Sequence, residues 1–311
     1  MTTTTPALTG SRRRPGDKVF SGSAAASAVL ILVILAGVGL FLLAEAYPAL
    51  VAPADEIEGG EGLVVYLWPI LFGTIITAVI AMLLAVPVAV GIALFISHYA
   101  PRRLSQALGY VVDLLAAIPS IVYGFWGFQV FALALVPLYQ WLAENVGWIP
   151  LFAGPASSTG RTILTASLVL AVMILPIISA LSREVFLQTP RLHEEAALAL
   201  GATRWEMIKY AVIPYGRSGV ISASMLGLGR ALGETMAVTL VLSASTSAIT
   251  FNLIGTANPP TIAAEIALNF PEATGLRLST LIAAGLVLFV LTFAVNFAAR
   301  ALVTRQKGGS T

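Results

Sequence analysis

Apolar residues in this chain come in long runs separated by short polar stretches. The runs fall near 24–44, 67–96, 111–139, 163–181, 213–242 and 280–299. A helix needs about 20 apolar residues to cross the hydrocarbon of a bilayer. The pattern therefore predicts an all-α polytopic membrane protein with six transmembrane helices. The 67–96 run exceeds one crossing, so it is expected to tilt or project, with a kink at Pro87. Pro119, Gly124 and Gly127 interrupt the 111–139 run. Such breaks are tolerated where neighbouring helices or a cavity satisfy the backbone, which points to an interior helix. Between the last two runs, TIAAEIALNFPEA (Thr261 to Ala273) reads as a short interfacial or re-entrant helix.

Composition agrees. Of 311 residues, 58% are hydrophobic and 10% charged, with mean hydropathy +0.92; soluble domains carry about 25% charged residues. The absence of Cys excludes disulfides and thiolate chemistry. His98 and His193 have no metal-ligand spacing, and no metal site is expected. The net charge of +2 belongs to loops, so no nucleic-acid surface is indicated. No G-x-x-x-x-G-K-[ST] loop is present, so the chain is not expected to hydrolyse ATP or to be an enzyme.

Charge sets the orientation. Fourteen of the seventeen Lys and Arg fall in the tail, the 102–103 turn, the 183–217 region or the C-terminus. By the positive-inside rule these sides and both termini are cytosolic. Arg161 and Arg277 fall outside, and Arg230 lies within the fifth run. The expected organisation is a disordered cytosolic tail over 1–22, then a first helix and acidic outside loop over 23–66. A core follows over 67–303, with a cytosolic helix at 191–205, and a cytosolic tail over 304–311 closes the chain. A signal peptide is the rival reading of the first run, because Ala44-Glu45-Ala46 resembles a cleavage site. Its length favours an uncleaved helix, since signal cores run about 7–15 residues. Asp113, near Arg102 and Arg103, is expected in a boundary ion pair.

The stretch RLHEEAALALGATRWEMIKYAVIP, Arg191 to Pro214, is charged yet has apolar residues near helical spacing. It predicts an amphipathic helix, a turn at Gly201 and a new helix. An apolar face on a polar loop calls for a protein partner. The stretch resembles the EAA loop of ABC-importer permeases. Glu195-Ala196-Ala197 is followed by three residues and Gly201, then by nine residues and Ala211-Val212-Ile213-Pro214. Ala211 and Ile213 stand where that pattern has Ile and Leu. The resemblance implies a type I importer permease fold. It also implies coupling to an ATPase through Glu194, Glu195, Ala196, Ala197, Gly201 and Pro214.

The fifth run contains SMLGLGRALGETMAVTLVL. Arg230 and Glu234 lie about one turn apart on one face and could pair. Arg at a helix centre costs about 2.5–3.5 kcal/mol on insertion scales, so such a charge is seldom idle. It either neutralises Glu234 or faces a polar cavity, where its planar fork suits an oxyanion. Gly229 and Gly233 have the spacing that lets another helix approach closely. This helix, IPSIVYGFWG (Ile118 to Gly127) and TIAAEIALNFPEA together resemble the PstC-type permeases of phosphate importers, over about 67–299. The resemblance implies a substrate pathway at Arg230 and Glu234. It implies as partners a homologous PstA-type permease, an ATP-hydrolysing subunit dimer and an extracytoplasmic phosphate-binding protein, in a cell membrane. ATP would be used by the partner, with no cofactor bound here. Other readings are a permease for another oxyanion or small solute, an intramembrane enzyme using Arg230 and Glu234, or a channel or structural subunit.

Overall fold

The computed structural model describes residues 15–57, 59–244 and 249–307, which are helical with no strand among them. Of the tails expected at 1–22 and 304–311, residues 1–14 and 308–311 lie outside the described residues. In chain order the helices are α1 (Pro15–Val51), α2 (Leu63–Leu94), α3 (Arg102–Ala116), α4 (Ser120–Trp126), α5 (Ala132–Val146) and α6 (Ile163–Leu187). They continue as α7 (Arg191–Ala199), α8 (Arg204–Met207), α9 (Ile213–Leu232), α10 (Met236–Val241), α11 (Ile262–Asn269) and α12 (Gly275–Lys307). Among the described residues, five segments are long and apolar enough to cross a membrane: 19–51, 63–99, 120–146, 163–187 and 275–301. The chain is a multi-pass membrane protein.

The fifth expected run is not among these segments. It is split into α9 and α10 by a break at Gly233-Glu234-Thr235, and α9 carries Arg217, Ser218, Ser222, Ser224 and Arg230.

Small residues decide how the core closes. Ala78, Ala81, Ala85, Ala89 and Ala93 recur at helical spacing on α2 and are all essentially buried. With no bulk on that face, α2 lies along α6, whose Val169, Leu170, Met173 and Ile174 fill the seam. Gly216 and Gly219 do the same where α9 crosses α6, since a Cβ on either would meet Phe186 or Val185. Outside this core, α1 packs mainly along α12, through Ala46, Ala49 and Ala283. Its remaining apolar face is exposed, as lipid contact requires.

Several boundaries differ from expectation. α1 begins at Pro15, inside the segment expected to be a disordered tail, since helix formation propagates through its polar end. α12 continues to Lys307, past the expected end at 303. The third run is two elements. Val111–Ala116 belongs to α3, an amphipathic helix whose Tyr110, Val111, Leu114 and Leu115 are exposed. Pro119 then starts α4 rather than kinking a longer helix. Asp113 pairs with Arg183 of α6 at 3.5 Å, not with Arg102 or Arg103, and so fastens α3 to the core.

At the other end, the segment before α11 folds over the 147–162 loop. Asn258 is fully buried; its amide donates to the Arg161 and Ser243 carbonyls and its Oδ1 accepts from the Ile163 N–H. α11 is the short helix that the sequence predicts within 261–273, and it tucks in beside α12 with Ile262, Ala263 and Ala264 buried.

Candidate functional site

Five residues of α9 share one face: Ser222, Met225, Leu226, Gly229 and Arg230, at i, i+3, i+4, i+7 and i+8. They line a cavity of about 780 Å³ with Ile177 of α6 and with Asn296, Ala299 and Arg300 of α12. Arg230 therefore faces a cavity and not a packed interface. Of the two readings of Arg230, the pair with Glu234 is not present among the described residues, since no ion pair joins them. α9 ends at Leu232, and the break turns Glu234 away. Glu234 is 8% exposed, and its Oε1 accepts a hydrogen bond from the Ala237 N–H at 3.2 Å. One carboxylate thus supports the restart of the helix at α10 while lying four residues from the cavity arginine. The Tyr123 hydroxyl of α4 donates to the Leu115 carbonyl at 2.9 Å.

Within this chain no helix packs closely on Gly229 or Gly233. A Cβ on Gly229 would meet nothing within 4 Å, and one on Gly233 only the Gly229 carbonyl at 3.6 Å. Within this chain both lie on open faces. The close approach is at Gly227, where a Cβ would lie 2.7 Å from Ile178 of α6. A small-residue spacing is legible in sequence, but which of three nearby glycines faces a neighbour depends on helix rotation. Sequence reading also missed Arg300 and Asn296. The available signal was an Asn four residues before an Arg in an apolar run.

The second functional region is the EAA segment. As the sequence predicts, the 191–205 segment is a helix, a turn and a new helix: Gly201 takes φ +86° after α7, and Thr203 caps α8. A π-helical turn over Ile208–Val212 then leads to Pro214, in the first turn of α9. Glu195, Ala196 and Gly201 are exposed and Ala197 is half-buried. Leu192, Leu198, Leu200 and Trp205 present an exposed apolar surface beside them. Glu194 faces inward, 3.5 Å from Nε2 of His98, whose Nδ1 is 2.7 Å from the Ser97 hydroxyl. Arg204 lies over the Tyr99 ring at 5.2 Å. His98 and Tyr99 both belong to the π-helical turn Phe95–Tyr99 at the end of α2. The segment is thus fastened twice to one helix end.

Thr203 and Glu206 form a capping box. The Glu206 Oε2 accepts from the Thr203 N–H and hydroxyl, each at 2.8 Å, and Thr203 Oγ1 accepts from the Glu206 N–H at 3.3 Å. The backbone bond first, then the hydroxyl bond, hold the Glu206 carboxyl below its ordinary 4.5. A lowered folded value means that its stabilisation is complete above 4.5 and is lost as pH falls through the folded value. Amide exchange at Glu206 and Met207, corrected for intrinsic rate, should therefore accelerate on acidification below that point. In Glu206→Ala it should already be fast at neutral pH, with no such step.

Comparison with known proteins agrees with this geometry. The family model for "binding-protein-dependent transport system inner membrane component" matches residues 85–308. The phosphate transport system permease protein PstC 2 of Mycobacterium tuberculosis is 46% identical over 98% of both chains. PstC of Mycobacterium leprae is 42% identical over 96% of this chain and 97% of its own. Among solved structures, a bacterial alginate ABC transporter in complex with an alginate-bound periplasmic protein superposes with TM-score 0.60 at 16% identity, covering 93% of this chain and 95% of the other; this likeness concerns the fold alone. The chain belongs to the family of binding-protein-dependent transport system inner membrane components.

Proposed function

We propose that this chain is the permease subunit of an ATP-driven importer that moves inorganic phosphate into the cell by alternating access. The observation that carries the reading is Arg230, set on the cavity face of α9 in a chain closely similar throughout to PstC permeases. In this reading α9 and α10 together make a sixth crossing. Both termini and the EAA segment lie in the cytosol of a cell membrane, as the basic residues direct. A second, PstA-type permease completes the pathway, and an extracytoplasmic phosphate-binding protein delivers the substrate. A partner dimer hydrolyses ATP and receives the exposed face of α7 and α8. Glu195, Ala196, Ala197 and Gly201 provide the contact and its turn, while Glu194 ties that contact to α2.

The chemistry favours phosphate over its close analogue sulfate. Near neutral pH phosphate retains a proton and can donate it to a carboxylate, while its other oxygens accept from a guanidinium. Sulfate has no such proton, so a carboxylate repels it. In this reading Glu234, here turned from the cavity to the Ala237 N–H, reaches the anion in another state of the transport cycle, where it suits phosphate and rejects sulfate.

The test is radiolabelled phosphate uptake at limiting phosphate, in cells that lack a high-affinity importer and express this chain with its partner subunits. Uptake that depends on the ATPase and resists excess sulfate is expected. An assembled complex that moves no phosphate would transfer the same architecture to another solute.

A further inference from the structure

A second hollow, of about 530 Å³, lies between α1 and α12. The two helices run antiparallel: Ala46 and Ala49 pack with Ala283, and Gly39 faces the Phe289 ring. Beyond that contact the hollow opens, with Leu32 and Leu35 on one side and Phe289, Phe293 and Phe297 on the other. The three rings recur every four residues, so they form one ladder on α12. Leu32, Leu35, Phe293 and Phe297 are exposed within the chain. A polar ladder, Thr292, Asn296 and Arg300, edges the same hollow. The Thr292 hydroxyl donates to the Phe289 carbonyl at 2.9 Å. The lining thus runs from an apolar end to an amide and then to a guanidinium. Phe289 and Arg300 are eleven residues apart, which is roughly 16 Å along a helix and about half the 30 Å of a bilayer's hydrocarbon. Arg300 directly follows the apolar run of α12, so the hollow spans the one leaflet on that side.

We propose that this hollow is a binding site for one anionic phospholipid of the cytosolic leaflet. Its acyl chain lies along the Phe289–Phe297 ladder, against Leu32 and Leu35. The Asn296 amide donates to a glycerol ester carbonyl, and the Arg300 guanidinium donates to the phosphate. Apolar wall, amide and cation follow one another along α12 in the order of tail, ester and headgroup. Arg300 also makes a contact within the chain, but a guanidinium has five N–H donors and a phosphate needs only some of them. Charge favours an anionic headgroup. The start of α1 and the end of α12 come to the same membrane side and bring Lys18, Arg300, Arg305 and Lys307 there, against Asp17 as the acid. The proposal takes from the import reading only the side on which the termini lie.

The height of the hollow does not suit a membrane-spanning helix of a partner. Such a helix needs about 30 Å of open face. The other half of this seam is closed, by the packing of Ala46, Ala49 and Ala283 and by Phe289 over Gly39. A free phosphate ion gains nothing from an aromatic wall. An occupant with both a tail and a charged head uses the whole lining.

The test uses the complete importer, delipidated in detergent, with bound lipid counted by native mass spectrometry. Phosphatidylglycerol is the probe, and phosphatidylcholine is run beside it. The wild type should hold phosphatidylglycerol more tightly than phosphatidylcholine. Leu35→Trp, which fills the hollow, should weaken the tightest binding of both by about tenfold or more, the effect of shutting out a few methylenes. Arg300→Gln should weaken phosphatidylglycerol about fivefold and remove its advantage over phosphatidylcholine, and Arg300→Lys should recover part of it. Both losses are required, so binding unchanged in either variant would overturn the site. Leu35 is exposed within the chain, so Leu35→Trp still decides if Arg300→Gln fails to assemble. Inorganic phosphate in large excess should not displace the lipid; displacement by it would give Arg300 to a free anion and overturn the proposal. A wild-type complex that holds neither lipid would leave the seam to protein and overturn it too. Uptake is no part of this readout. A complex that binds the lipid as described but moves no phosphate would overturn the import reading alone.

Discussion

Arg230→Gln should reduce phosphate uptake at least about a hundredfold while leaving the assembled complex as stable as before, or more so. The two effects have opposite signs for one reason. A guanidinium that grips an anion with two charge-assisted bonds contributes about 1.5–3 kcal/mol through each, and glutamine cannot replace that fork. The same charge costs about 2.5–3.5 kcal/mol to place in the membrane span, so neutralising it relieves the folded chain. No ion pair to Glu234 is lost to offset the relief. Arg230→Lys should fall between, keeping charge but not bidentate geometry. Uptake measured beside the amount of complex recovered on a tagged ATPase subunit separates transport from assembly. Unchanged uptake in Arg230→Gln would remove Arg230 from the pathway.

Gly124→Val should be the most damaging substitution for the fold around the site. A Cβ at Gly124 would lie 2.6 Å from the Cα of Ala237 and 3.2 Å from the Leu240 side chain. α4 and α10 thus meet backbone against backbone, where no rotamer change can make room. Overpacking of a core typically costs about 1–3 kcal/mol, and contact with main chain belongs at or above the top of that range. Replacing Gly within a helix returns only about 1 kcal/mol of propensity. The displaced element is α10, whose first turn Glu234 supports, so uptake should fall along with the melting temperature. Gly229→Ala is the control. Its Cβ meets nothing within 4 Å, so the same propensity gain should leave the melting temperature unchanged or slightly raised. If Gly229→Ala destabilised the chain as much as Gly124→Val, close packing would have to be returned to Gly229.

How much was legible in sequence depended on the range of the cause. The apolar runs, the Gly201 turn and the short re-entrant element follow from local chemistry. Gly201 takes φ +86° with open space around it, so backbone conformation alone accounts for the glycine. The resemblance in the EAA segment was likewise local in sequence. Interactions set by helix rotation were not legible. Arg230 and Glu234 have the spacing of a pair, yet a three-residue break sends one to the cavity and the other to the Ala237 N–H. Asp113 has two basic residues nearby in sequence, but its partner is Arg183, seventy residues away. α3 and α4 read as one run because Val111 to Ala116 is apolar except for Asp113. Only the direction of its face against α6 marks it as surface-lying. Arg300 became relevant once α9 and α12 were seen to enclose one cavity.

The double fastening of the EAA segment to the end of α2 extends to the far side of the molecule. α2 spans 32 residues, roughly 48 Å as a helix. Near its other end Gly73 lies against the chain at Pro260, where a Cβ would be 2.4 Å from the carbonyl oxygen. The Thr74 hydroxyl beside it accepts from the Ile262 N–H at 2.9 Å. One rod therefore has a pinned joint at each end: His98 and Tyr99 on the stroke side, Gly73 and Thr74 under the outer cover. In the proposed importer, a push delivered to α7 would not stay local, because any tilt it gave the rod would be taken up where the cover rests on the opposite joint.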